Sequence, residues 1–333
     1  MKPAIYFDEL ENSVLECLLC PHHCRIKPGE AGICGARMNR NGMLYSLNYG
    51  ELTSIGMDPV EKKPLYHYRP GKSVLSVGSW GCNMKCPHCQ NWSIATKRPR
   101  HIQLVKPTQL LRIIDSENSW GVAFTYNEPT VFFEFILDTA RVAAKTGIET
   151  ILITNGYIES DPLELLVQSV SAMNIDLKGW NDDYYLKELG AKKGNVLRTI
   201  ERAVEVGVHV EITTLMVTGK NDSLEELEEE FKWLSSLSKD IPLHLTRYYP
   251  AHKAEMPPTD IKLMKETREV ARKYLNYVYL GNIPEAEEEN TYCPECGALL
   301  IKRKGYNTEI EKLDEKGRCS ECGKEIPVIL QKK

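Results

Sequence analysis

Cys82, Cys86 and Cys89 stand close together in GCNMKCPHCQNW (81–92), and no fourth cysteine follows nearby. Iron-sulfur cubes are ordinarily held by four thiolates, so three at this spacing leave one iron open to chelate a small molecule. The other eight cysteines complete the total of eleven and fall into two further groups. In the tail, Cys293, Cys296, Cys319 and Cys322 form two C-x2-C-G knuckles, YCPECG and RCSECG, separated by 22 residues. That is zinc-ribbon or rubredoxin-like spacing, with zinc the favoured ion. In the head, Cys17, Cys20, Cys24 and Cys34 lie in CLLCPHHCRIKPGEAGIC, with His22 and His23 as spare nitrogen ligands. By count the head suits zinc or a second iron-sulfur cluster equally. A redox-silent zinc staple is the expectation, since a small cap needs no more than a staple.

Composition frames these sites. A chain of 333 residues with a formal charge of −4 can bury a sizeable core and shows no strongly basic nucleic-acid surface. The longest apolar stretch, VFFEFILDTARVAA, is broken by Glu134, Asp138 and Arg141, so no membrane span is expected. The acidic start MKPAIYFDELENS lacks the features of a secretory signal, and a cytoplasmic location is expected. Cysteines in such a chain point to metal or redox chemistry more than to disulfides.

The elements that must position the three cysteines are strands alternating with helices. KSVLSVGSW, GVAFTY, ETILI, AMNIDL, VHVEITTLMV, IPLHLTRYY and LNYVYLG read as strands. Helical periodicity fills the segments between them, with Pro162 early in one helix and Gly147 closing another. Alternation implies parallel βαβ units and an α/β fold, a (β/α) partial barrel resembling a TIM barrel. Chemistry in such barrels sits beyond the C-terminal strand ends. The cysteines follow strand one, Asn127, Glu128 and Pro129 strand two, Thr154 and Asn155 strand three, and Asp176 and Lys178 strand four. Met216 and Thr218 end the fifth, and His244 and Arg247 lie in the sixth. Three domains are expected: a Cys-rich head over 1–70, the barrel over 71–285, and the ribbon over 286–333, with the acidic linker NIPEAEEEN before the ribbon.

C-x3-C-x2-C just after the first barrel strand resembles the radical S-adenosylmethionine (SAM) superfamily. The resemblance implies that Cys82, Cys86 and Cys89 are the catalytic ligands of a [4Fe-4S] cluster. SAM would bind its open iron and be cleaved reductively to a 5′-deoxyadenosyl radical that abstracts hydrogen from a substrate. His88 occupies the place of an aromatic ring near the adenine. TYNEPT (125–130) resembles the segment that receives the SAM amino group, with Glu128 the acceptor and Asn127 in place of its second glycine. TNG (Thr154, Asn155, Gly156) and DLK (Asp176, Leu177, Lys178) resemble segments of the glycyl-radical-activating branch that bind the SAM carboxylate, ribose or a nearby cation. Ile153 stands where that branch carries an aspartate.

A likeness over nearly the whole chain rests on CLLCPHHC, GEAGICGAR, DPVEKKPLYHYRPGK, GCNMKCPHCQNW and YNEPT. Together they are similar to the radical SAM members associated with AMMECR1-like and Memo-like proteins, also described as pyruvate formate-lyase activating enzyme related. That likeness implies a protein or peptide substrate, a reductant such as ferredoxin or flavodoxin, and AMMECR1-like or Memo-like partners. DPVEKKPLYHYRPGK (58–72), with Tyr66 and His67, is expected to border the substrate groove. His244 is read as SAM- or substrate-facing against the alternative of a satisfied core histidine. Two other functions compete: RNA modification with the ribbon presenting the nucleic acid, and a non-catalytic metal-binding or electron-transfer adaptor.

Overall fold

The computed structural model describes residues 1–284 and 287–331. Its centre is an eight-stranded sheet of β1 (Ser54–Pro59), β2 (Ser73–Gly78), β3 (Gly121–Phe124), β4 (Glu149–Thr154), β5 (Ala172–Asp176), β6 (His209–Met216), β7 (Leu243–Arg247) and β8 (Val278–Gly281). Strands β2 to β8 run parallel in chain order, β1 pairs antiparallel with β2, and the two outer strands do not pair with each other. The result is a partial barrel. Strand β2 is buried from Val74 to Gly78, the continuous apolar run expected of a parallel strand covered on both faces.

Helices α1 (Pro107–Ser116), α2 (Phe133–Ala143), α3 (Ser160–Val167), α4 (Lys193–Glu205), α5 (Leu224–Leu237) and α6 (Ile261–Ala271) fill the crossovers. Their ends follow local chemistry. Pro107 opens α1, where its missing N–H is no loss, and the Asp260 side chain caps α6 by accepting from Lys262 N–H at 3.0 Å. No helix among the described residues is long and apolar enough to cross a membrane.

The seven expected strands are present. Strand β1 had no signal in the sequence: Gly56 and Pro59 interrupt it and most of its residues are half-buried, so no clean alternation marks it. The sheet therefore begins at Ser54, ahead of the start expected at residue 71. The boundary expected between 285 and 286 lies outside the described residues.

Residues 60–72 join the end of β1 to the start of β2, which places them at the N-terminal end of the strands. They plug that end. Tyr66 and His67 N–H groups donate to the buried Glu211 carboxylate at 2.9 and 2.8 Å, and His209 and His244 donate to it at 3.0 and 2.7 Å. Burial would raise the Glu211 carboxyl, but the two histidines outweigh it and hold it far below the usual carboxylate range. The tail closes over the plug. Leu300, Ile301, Ile326 and Val328 share one core with Tyr66, Tyr277 and Tyr279, and the buried Arg303 donates to Tyr66 O at 2.8 Å.

Two expectations are corrected here. His244 lies early in β7 with its ring bound to Glu211 and is a core residue of the plug, not a group facing a cofactor. Residues 58–72 do not border a groove at the strand C-termini, because Tyr66, His67 and Tyr68 are buried at the other end.

Candidate active site

The cysteine loop leaves β2 and lies across the C-terminal ends of β3, β4 and β5. Burial pushes the Cys82 thiol well up, and the nearby Glu128 carboxylate and Cys86 and Cys89 sulfurs add to the shift. Burial also raises Cys86 and Cys89, opposed in both by the Lys178 ammonium. Three thiols, a carboxylate and an ammonium thus share one electrostatic neighbourhood. Sulfurs so placed become thiolates when a metal centre takes the proton's place.

The surrounding loops hold this arrangement. Asn127 Oδ1 accepts from Ser79 N–H at 2.8 Å and its Nδ2 donates to Gly81 O at 3.0 Å, so both ends of the amide tie the loop after β3 to the cysteine loop. The Asn127 side chain thus positions the cysteine loop. Asn155 donates from Nδ2 to Asn83 Oδ1 at 2.9 Å, and the same nitrogen lies 3.9 Å from Cys82 Sγ. A π-helical turn over Tyr184–Leu189 braces the loop from another side, with Lys85 N–H donating to Leu189 O at 3.0 Å. Opposite it, Lys253 N–H donates to Pro87 O at 2.9 Å.

Glu128 is buried and almost saturated. Its Oε1 accepts from Thr130 N–H at 2.8 Å and Thr154 Oγ1 at 2.7 Å, while Oε2 accepts from Asn155 N–H at 2.8 Å. One acceptor position on Oε2 is left. Burial raises the Glu128 carboxyl against these hydrogen bonds. Lys178 is paired with Asp176 at 2.9 Å, and burial, which would lower its ammonium, is overcome by Asp176 and the Cys86 sulfur. His88 is pushed down to about 4 by burial, with Lys178 adding to the shift, so its ring is neutral at physiological pH.

Four buried polar atoms in this region have no partner: His88 Nδ1, Tyr184 Oη, Thr218 Oγ1 and Tyr248 Oη. The His88 and Tyr248 rings lie 6.3 Å apart, Tyr184 lies within electrostatic reach of Cys86, Lys178 and Tyr248, and Tyr248 packs on Val217 beside Thr218. Each orphan costs about 1–3 kcal/mol unless a ligand satisfies it. Tyr184 had no sequence signal, because it lies in an irregular turn, whereas Tyr248 was read as part of the strand that in fact ends at Arg247.

The donor set fits an open iron-sulfur cluster with a zwitterionic ligand. Among the described residues, the four tail sulfurs are the group of ligand atoms gathered within 4.8 Å, as around a single ion, and the three loop thiols are not so gathered. The loop offers three thiols without a fourth, a carboxylate with one free acceptor position, an ammonium, and a neutral imidazole with an open nitrogen. The Radical SAM superfamily pattern matches residues 78–234, the stretch that contains all of these except Tyr248. An uncharacterized protein of Methanocaldococcus jannaschii is 42% identical across 99% of this chain and 100% of its own length.

The chain belongs to the radical SAM superfamily.

This radical SAM enzyme is also 26% identical to the pyruvate formate-lyase-activating enzyme of Clostridium pasteurianum, over 59% of this chain and 87% of that one. A crystal structure of a radical SAM methyltransferase from Sphaerobacter thermophilus shares the fold, with a TM-score of 0.50, 15% identity, and 63% of this chain and 66% of that chain covered. Family membership implies a [4Fe-4S] cluster and SAM.

Proposed function

We propose that Cys82, Cys86 and Cys89 hold the [4Fe-4S] cluster and that the radical formed there is directed at a protein or peptide backbone. The observation that carries the first part is the conjunction of three half-buried thiols with four unpartnered buried polar atoms around them. When bound, the cluster supplies the electron that cleaves SAM reductively and starts hydrogen abstraction.

The remaining work belongs to the chain. Glu128, held rigid by Thr130, Thr154 and Asn155, offers its last acceptor position to the SAM amino group. Lys178 would pair with the SAM carboxylate, and Asp176, a third exposed, would accept from the ribose hydroxyls. His88 Nδ1, unpartnered in the structure, would accept from the adenine amino group. The Cys82–Asn155–Asn83 contacts hold the first sulfur in place, while the π-helical turn and Lys253 brace the cysteine loop through their backbone hydrogen bonds.

A protein substrate is supported by the relationship to a pyruvate formate-lyase-activating enzyme, and with it a low-potential reductant of the ferredoxin or flavodoxin class; AMMECR1-like or Memo-like partners rest on the sequence resemblance alone. We place zinc in the tail. Cys293–Cys322 and Cys296–Cys319 sulfurs lie 3.6 and 3.7 Å apart, beside the roughly 3.8 Å edge of a tetrahedron built on a Zn–S bond of about 2.3 Å.

The test is anaerobic. The protein is reconstituted with iron and sulfide, reduced with dithionite, given SAM, and assayed for 5′-deoxyadenosine beside Cys86→Ala. Product from the unaltered protein alone supports the reading. If neither forms product and the spectrum of the reduced cluster ignores SAM, the adaptor reading replaces it.

A further inference from the structure

The head cysteines make the strongest unassigned site. Cys17 ends a short strand and Cys20, Cys24 and Cys34 follow in the turns after it, yet all four line one cavity. Cys17 and Cys20 are buried, while Cys24 and Cys34 are half-buried. Leu19, Ile26 and Val131 supply apolar wall, and Arg37 and Asn83 supply polar wall.

The sulfur spacing argues against one zinc ion. In the tail, four sulfurs gather within 4.8 Å around a point that a single ion can fill. The head sulfurs form no such group among the described residues. Sulfurs that surround one cavity without closing on a point suit a larger body. In a [4Fe-4S] cube each cysteine binds a different iron, so the sulfurs stand apart by the width of the cube as well as two bonds.

The electrostatics agree. Arg37 is buried, donates to Ile5 O at 3.0 Å and pairs with Glu134 at 2.5 Å, yet its Nε has no partner. It lines the cavity. A cube with four thiolates is anionic and accepts hydrogen bonds at its sulfurs, the kind of partner a buried guanidinium N–H lacks here.

Position gives the site a role. Gly81 has φ +91°, and a Cβ there would stand 2.7 Å from Cys34 O. His22 Nε2 donates to Asn83 O at 2.7 Å, and Asn83 itself lines the head cavity. Cys82 is thus flanked on both sides in sequence by residues that touch the head site.

We infer that Cys17, Cys20, Cys24 and Cys34 bind a second [4Fe-4S] cluster, which passes single electrons to the cluster at Cys82, Cys86 and Cys89. One electron from a reduced ferredoxin or flavodoxin reduces the head cluster, and the same electron leaves it for the first, so the head cluster returns to its oxidised state. With a thiolate on every iron it has no open corner for SAM. The relay role rests on the radical SAM reading above, whereas the presence of the cluster does not.

The experiment compares three reconstituted full-length proteins: the unaltered chain, the triple variant Cys82→Ala/Cys86→Ala/Cys89→Ala, and Cys24→Ser, at the cavity mouth. Iron, acid-labile sulfide and zinc are counted, and EPR spectra of the reduced proteins are taken with and without SAM. The expected result is about eight irons in the unaltered chain and about four in the triple variant, whose signal ignores SAM. Two zinc ions per chain with no iron left in the triple variant would overturn the cluster. Loss of the SAM response in the unaltered chain, with the triple variant still holding iron, would sink the radical SAM reading and leave the head cluster standing.

The relay is tested on Cys24→Ser. It is expected to cleave SAM with dithionite and to lose most of its rate with flavodoxin as donor. Equal rates with both donors, at a head-cluster iron content confirmed as lost, would overturn the relay. Unfolding of this variant is checked by circular dichroism, and Arg37→Lys then replaces it: a shifted EPR signal in the triple-variant background supports the site, and an unchanged one contradicts it.

Discussion

The cysteine loop and the tail ribbon use the same residue type at opposite ends of one sheet, and what surrounds the sulfurs differs. In the ribbon the sulfurs close on a point and the nearby polar groups are backbone N–H donors aimed at them. The ribbon also shares a core with Tyr66, Tyr277 and Tyr279, so apolar packing stabilises it beside any ion its sulfurs hold. In the loop the sulfurs stay open, and buried polar side chains around them lack partners. A closed shell has finished its bonding. An open shell has arranged groups for something that is not protein.

The sharpest break of this comparison is a pair of single changes. Cys86→Ala should reduce 5′-deoxyadenosine formation to background with little change in melting temperature. Cys296→Ala should leave SAM cleavage by dithionite intact while removing one zinc per chain and lowering the melting temperature. If Cys296→Ala alone stopped cleavage, the two ends would be functionally coupled and the contrast would fail.

The plug offers the next largest effect. Glu211→Gln leaves His209, His244 and two backbone N–H groups facing a neutral amide and should cost about 3 kcal/mol of stability, read from chemical denaturation. The affinity of the folded protein for SAM should not move. At the other end, Glu128→Gln keeps the shape and removes the charge, and should weaken SAM binding by about 10–100-fold in equilibrium titration, the worth of one charge-assisted hydrogen bond. A change confined to stability would remove Glu128 from the SAM site.

Acid reads both ends at once. Burial pushes His67 down to about 3 and His88 down to about 4, so both are neutral in the folded chain. The unfolded chain takes up these protons below about pH 6.5 and the folded chain does not, so stability is full above that pH and falls as the pH drops towards 4. From about pH 8 to about pH 5 the loss should be on the order of 2 kcal/mol for each histidine. His67→Phe should flatten the curve by about half. If the curve stayed unchanged, the plug histidine would not be the titrating group.

Spacing in the sequence determined the cysteine groups, because ligands of one centre on a short loop must be near neighbours whatever the rest of the fold does. Periodicity likewise determined the seven parallel strands and their helices, since parallel strands bury both faces and leave continuous apolar runs. The placement of Glu128, Thr154 and Lys178 at strand ends followed from those two readings. Tertiary structure decided the rest. It gave His244 to Glu211, since a strand position alone does not say which neighbour its ring will meet, and it used the Asn127 amide to tie two loops. It put Tyr66 and His67 in a buried plug, because an aromatic, basic segment reads the same on a groove as in a core. Four cysteines in the head fix a count but no width, and the distance between sulfurs, which separates one ion from a cluster, exists only after the turns that carry them have packed.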